Sequence, residues 1–113
     1  MASEKSEELL TAMITTTLAV IKLVDDSRVP KSIADQVIRS TGSIGANFSE
    51  AQEASSKRDF VNKIFIAKKE AQETKYWLRI VKELLPVNEI IEQEVQRYLM
   101  TLQKIITSTK EKN

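Results

Sequence analysis

Residues 57–86 read KRDFVNKIFIAKKEAQETKYWLRIVKELLP. Within them Phe60, Ile64, Ala67, Ala71, Thr74, Leu78, Val81 and Leu85 recur at alternating steps of four and three. That is the seam spacing of packed helices; a strand, which turns every second side chain to one face, cannot keep such a row. The stretch predicts one helix over 57–85, stopped by Pro86 because the residue before a proline is pushed out of helical geometry. Its strict heptad period implies left-handed packing on its neighbours at roughly 20°.

The same periodicity extends outward in both directions. On the N-terminal side, Ser55 or Ser56 is suited to cap this helix, and a second helix is predicted over 30–54, with Pro30 in its first turn. Its rows are Ala34, Ile38, Thr41, Gly45, Phe48 and, alongside, Ile33, Val37, Ser40, Ile44, Asn47. Both glycines of the protein, Gly42 and Gly45, fall here, each costing about 1 kcal/mol relative to Ala in a helix interior. The apolar rows nevertheless stay in phase through them to Phe48. An unbroken helix is expected, with its small residues admitting a neighbour at close range. A first helix over 4–25 carries two adjacent rows, Leu10, Ile14, Thr17, Ile21, Val24 and Leu9, Met13, Thr16, Val20, Leu23, a wider apolar face than one neighbour covers. A fourth over 87–109 holds Val87, Ile91, Val95, Tyr98, Leu102 and Ile105, widened by Ile90, Leu99 and Ile106. The tail from Lys110 to Asn113 is polar and expected to fray.

Composition agrees with this reading. The 113 residues include 2 Gly and 2 Pro, too few to supply the frequent turns of a sheet protein. Helices of about 24 residues, roughly 36 Å long, joined by a few residues each, must alternate in direction. The expected fold is all-α: a single domain forming an antiparallel, up-and-down four-helix bundle. No stretch approaches the roughly 20 apolar residues of a membrane span. The opening Met-Ala-Ser-Glu-Lys-Ser-Glu-Glu is acidic where a signal peptide is basic and then apolar, so a cytoplasmic protein without membrane contact is expected.

The chain has no Cys and no His. Thiolate chemistry is excluded, and the commonest general base and metal ligand are both missing. No cofactor, catalytic residue or metal site is expected.

Two features break the apolar pattern. One is a row on the third helix, Ile66, Glu70, Glu73, Trp77, Ile80, Leu84, in which two carboxylates interrupt an apolar line. A buried carboxylate needs a partner. If helices two and three fold back near Ser55-Ser56, residues whose numbers total about 111 lie level in such a hairpin. Glu70 then faces Thr41 and Ser43, and Glu73 faces Ile38 and Arg39. An interhelical polar network drawing on Arg39, Thr41, Ser43, Asn47, Glu50, Glu70 and Glu73 is expected. The competing reading makes Glu50, Glu70 and Glu73 a carboxylate or di-metal centre, but di-metal bundles add His to their glutamates. The other feature is basic: Lys68, Gln72, Lys75, Arg79 and Lys82, again at steps of four and three. Residues 57–82 hold eight basic and three acidic side chains, a net +5, against +1 for the whole chain. Lys68, Lys75, Arg79 and Lys82 are therefore candidates for contact with the phosphates of a structured RNA or DNA, with Tyr76 and Trp77 flanking them. Alternatively the stripe meets the acidic first and fourth helices of a partner subunit, as in a protein–protein interaction module.

Three segments then carry a resemblance. Ser43-Ile44-Gly45-Ala46-Asn47-Phe48-Ser49-Glu50-Ala51, Ser56-Lys57-Arg58-Asp59-Phe60 and Ile66-Ala67-Lys68-Lys69-Glu70-Ala71-Gln72-Glu73-Thr74 resemble the four-helix-bundle proteins encoded in intervening sequences of bacterial 23S ribosomal RNA genes. Ala51 stands where that pattern usually has Gly, Arg58 is inserted in a Lys-Asp-Phe opening, and Lys69-Glu70-Ala71 replaces a Gly-Ser type step. The resemblance implies a protomer assembled as a homopentameric barrel. It also implies relatives that act as accessory variability determinants of diversity-generating retroelements, working with a reverse transcriptase and binding RNA or DNA.

Overall fold

The computed structural model of the chain describes residues 3–111; Met1, Ala2 and the final Lys112-Asn113 of the polar tail lie outside the described residues. Four helices occupy nearly all of it: α1 (Glu4–Val24), α2 (Lys31–Ala51), α3 (Lys57–Leu84) and α4 (Glu89–Glu111). The whole measures 50 × 22 × 21 Å, about one long helix in length and two helices across. Cross-links between neighbours fix the alternation of direction. Glu50 and Arg39 of α2 reach Lys63 and Glu73 of α3, while Lys68 and Lys82 of α3 reach Gln103 and Glu92 of α4. The chain is an antiparallel four-helix bundle.

Local chemistry sets each boundary. Ser3 and Ser56 cap α1 and α3, their hydroxyls accepting the Ser6 and Asp59 backbone N–H groups at 3.1 and 3.0 Å. Pro30 is the residue before α2 rather than inside its first turn, with φ −58° and ψ 142°. The second helix ends at Ala51, not at residue 54. Its continuation tightens into three-residue turns, Gln52 N–H to Ser49 O, Glu53 N–H to Glu50 O and Ala54 N–H to Ala51 O. The fourth begins at Glu89 rather than 87, because the Asn88 side chain accepts the Ile90 N–H at 2.9 Å.

The core is made by the rows the spacing picks out. On α3, Ile64, Ala67, Ala71, Thr74, Leu78 and Val81 are all buried. Of the two α1 rows, Met13, Thr16 and Val20 of one and Val24 of the other turn inward, whereas Ile14 and Ile21, with Leu18 outside both rows, stay about half exposed. On α4 the inward row is Ile91, Val95, Tyr98, Leu102 and Ile106, with Ile105 only partly covered and Ile90 in water. Each buried Val, Leu or Ile contributes roughly 1.5–3 kcal/mol. Among helices that pack side by side, packing is heaviest between α2 and α3 and lightest between α1 and α4.

The α2 glycines sit inside an uninterrupted helix and differ in surroundings. A Cβ on Gly45 would lie 3.4 Å from Met13 Cβ and 3.7 Å from Leu10 Cδ1, so α1 lies directly against it. A Cβ on Gly42 would meet only Thr17 Cγ2, at 3.9 Å. Gly42→Ala is therefore expected to stabilise the fold by about 0.5–1 kcal/mol through helix propensity. Gly45→Ala should leave it nearly unchanged, the same gain being offset by the close contact. Thermal melts followed by circular dichroism at 222 nm will separate the two.

Candidate functional site

The two polar features of the sequence land on different sides of α3. Toward α2, the Arg39 guanidinium lies between two carboxylates, bonding Glu70 Oε1 at 3.3 Å and Glu73 Oε2. Glu73 also accepts the Trp77 indole N–H at 2.9 Å, and Gln36 accepts from Arg39 Nε at 3.3 Å. Behind this cluster lies a fully buried bond, Thr74 donating to Ser40 Oγ at 2.9 Å. Three of the expected network members, Arg39, Glu70 and Glu73, are thus brought together. The rest are not. Thr41 donates to its own helix at Val37 O, and Asn47 does the same at Ser43 O. Glu50 lies farther along the hairpin, paired with Lys63 at 2.8 Å. Glu70 faces Arg39, not Thr41 and Ser43, because the long guanidinium reaches along the helix to both carboxylates. Among the described residues no three Asp or Glu side chains converge as a metal site.

The cluster is partly wet: the side chains of Arg39, Glu70 and Glu73 are 46%, 20% and 37% exposed. Screening by water keeps its worth low. Arg39→Ala is expected to cost about 1 kcal/mol, less in high salt. The change should also move the emission of Trp77, the single tryptophan, because its carboxylate partner loses its own anchor.

The basic row lies toward α4. Lys68 Nζ donates to Gln103 Oε1 at 2.7 Å, and Lys82 pairs with Glu92 at 3.1 Å. These two thus tie α3 to α4, Lys82 through one of the acidic residues of α4 within the same bundle. Lys75 and Arg79, between them, edge a hollow of about 290 Å³ in the α3–α4 groove with Leu78, Glu92 and Gln96. Neither has a hydrogen-bond or ion-pair partner among the described residues, and Arg79 is exposed.

Three further features escaped the sequence reading. Phe65 stands exposed, with Lys68 Nζ and Lys69 Nζ at 5.4 and 5.9 Å from its ring centre. It belongs to none of the apolar rows, and its own place is three residues before Lys68 in the basic one. Next, Tyr98 of α4 is buried, its hydroxyl 2.8 Å from that of Thr16 in α1 and donating to Glu94 Oε1 at 3.1 Å. Burial, opposed by the Thr16 bond and reinforced by the nearby Glu94 carboxylate, pushes the Tyr98 phenol up to about 12. Arg97, gripping Glu94 through two bonds of 2.9 Å, holds that carboxyl below its ordinary range. Last, a cleft of about 810 Å³ opens at one end of the bundle, floored by Leu9, Phe48, Phe60 and Ile105 and rimmed by Lys5, Glu8, Gln52 and Arg97. No described helix is long and apolar enough to cross a membrane.

Comparison with known proteins places this geometry. The chain is similar, over 87% of its length and 97% of the other's, to the crystal structure of a protein with unknown function from the S23 ribosomal protein family of Bacteroides thetaiotaomicron. The two are 30% identical and superpose with a TM-score of 0.78. No curated protein matches. The profile of the 23S rRNA-intervening sequence proteins matches residues 5–108, nearly the whole chain. With that match, the four-helix bundle and the motifs of α2 and α3 in agreement, the chain belongs to the 23S rRNA-intervening sequence protein family.

Proposed function

We propose that this protein is a non-enzymatic, self-associating bundle that binds nucleic acid through the cationic side of α3. The observation that carries this reading is the pair Lys75 and Arg79, two cations one helical turn apart with no counter-charge bonded to them, within a segment of net +5. Such a pair is placed to neutralise adjacent phosphates, and phosphate contact supplies the sequence-independent part of nucleic-acid affinity. The carboxylates that would have served an acid–base mechanism, Glu70 and Glu73, are engaged by Arg39 and Trp77. Filter binding of the purified protein to RNA and DNA at low and moderate salt tests the proposal. Binding that weakens steeply with salt is the expected result; no binding at low salt would sink it.

A second reading, a protein–protein module, is favoured by the half-exposed Ile14, Leu18 and Ile21 on α1. Ile14 and Leu18 lie beside Gly42 and Ala46 of α2 in a shallow groove, away from the α3 row. Contiguous exposed apolar surface on a soluble protein marks contact with a partner when it is large enough. A ring of copies, five by family resemblance, or a reverse transcriptase partner, would cover it. In native mass spectrometry Leu18→Asp is expected to reduce the assembly to monomers while a Lys75→Glu/Arg79→Glu variant keeps it; the opposite pattern would make the basic row the subunit seam.

A further inference from the structure

Beside the Lys75–Arg79 pair runs a row that none of the apolar or basic patterns isolates: Phe65, Lys69, Gln72, Tyr76 and Arg79, at steps of four, three, four and three. All five side chains are exposed, Phe65 at 46% and Tyr76 at 58%. Two aromatic rings thus stand in water on one helix face with a lysine, an amide and an arginine set between and beyond them. Eleven residues separate the rings, three helical turns or about 16 Å at 1.5 Å per residue. Tyr76 is steadied edge-on by Trp77, ring centres 5.0 Å apart at 71°. A hollow of about 310 Å³ opens beside it between Arg79, Ile80 and Glu83.

Accepting the nucleic-acid reading above, we infer that this row is a platform for an unpaired strand, with Phe65 and Tyr76 each stacking on a base while Lys69 and Lys75 contact the phosphates between and Arg79 the one beyond. The chemistry selects the single strand. A ring can take only a base whose face is free, and in a duplex every face is already stacked on the next. Stacked bases are 3.4 Å apart, so the two rings are about five steps apart along a stacked strand and fewer along an extended one. Of the two ammonium groups over Phe65, that of Lys68 is bonded to Gln103 and that of Lys69 to no other element. Lys69, on its flexible stem, can swing to a phosphate and free the ring face it covers for a base. Stacking of this kind does not depend on base identity, so recognition is of strandedness and not of sequence.

The test uses fluorescence anisotropy with four labelled probes of equal length at low salt: single-stranded RNA, single-stranded DNA, duplex DNA, and an abasic strand with the same phosphates. The expected result is that both single strands bind about tenfold or more tighter than the abasic strand, from stacking at two positions. Phe65→Leu/Tyr76→Leu should bring them down to the abasic level without altering abasic binding or the salt slope. Trp77 emission should change with the base-bearing strands and not with the abasic one. Equal affinity for abasic and base-bearing strands, or tighter binding of the duplex, would overturn the platform and leave phosphate binding standing. Failure of all four probes to bind would remove both readings. If the Leu variant loses its assembly in native mass spectrometry while strand binding is unchanged, the two aromatics serve a protein interface and the inference is wrong. Both side chains being exposed, the Leu variants are expected to melt as the parent does, and Tyr76→Phe should retain full binding.

Discussion

Tyr98→Ala is expected to lower stability by about 3–5 kcal/mol, the largest effect of any single change considered for this bundle. The ring is almost completely enclosed, so truncation leaves a cavity the size of a phenol among α1 and α4 side chains. It also strands the Thr16 hydroxyl, which is itself buried and has its cross-helix partner in Tyr98. Because α1 and α4 are the most lightly packed neighbours, little else holds that seam. A drop of about 15 °C in melting temperature follows for a chain of this size, measured by circular dichroism. Tyr98→Phe keeps the packing and removes the hydroxyl, and should cost about 1–2 kcal/mol. The phenol also sets an alkaline limit. Its neutral form is the one the fold favours, so the contribution is complete below the ordinary value of 10.0 and is lost as pH rises from there to about 12. Denaturant melts between pH 8 and 11.5 should show this loss in the parent protein and a shallower one in Tyr98→Phe; parallel curves would contradict it.

Reversing both central cations, Lys75→Glu with Arg79→Glu, is expected to weaken nucleic-acid binding about 100-fold at low salt. Two favourable phosphate contacts become two repulsive ones, and the change is in the middle of the row where a strand cannot avoid it. The slope of log affinity against log salt should fall by about 1.4 for a single strand and 1.8 for a duplex, since each phosphate contact contributes roughly 0.7 or 0.9. The loss should be the same for every base sequence. Lys75 is half-buried and Arg79 exposed, and neither is bonded to another element, so the fold should be retained, which a circular-dichroism melt of the variant checks. By contrast, Lys82→Glu would set a carboxylate against Glu92 and loosen α4. A binding loss confined to that variant would mean that the helix pairing, and not the phosphate contact, is what the row provides.

The fold was legible because α3 states its packing in one strict row: seven of the eight positions from Phe60 to Leu85 are buried, and Phe60 is partly so. The α2–α3 register was legible for the same reason: the hairpin alone sets Arg39 level with Glu73, and the two are paired. What stayed hidden has physical causes. The Glu50–Lys63 pair depends on where a four-carbon stem swings, which no backbone register specifies. The Thr16–Tyr98 bond joins residues 82 apart across the one helix pair whose register has no hairpin to set it. The boundaries of α2 and α4 moved because short-range hydrogen bonds at Gln52–Ala54 and at Asn88 override periodicity. Phe65 went unnoticed because an apolar residue outside an apolar row has no partner in sequence to announce it.

The unequal packing around the bundle has a last consequence, for how the protein opens. Protection of backbone amides against exchange reports the free energy of each local opening, and openings follow the weakest joints. The α2–α3 hairpin holds the heaviest packing, the Ser40–Thr74 bond and the Arg39 cluster, whereas α1 and α4 meet along a seam secured mainly at Tyr98. The molecule should therefore breathe like a book with its spine along α2 and α3. Amides in the outer turns of α1 and α4 exchange first, and those around Ser40 and Thr74 exchange only when the whole chain unfolds.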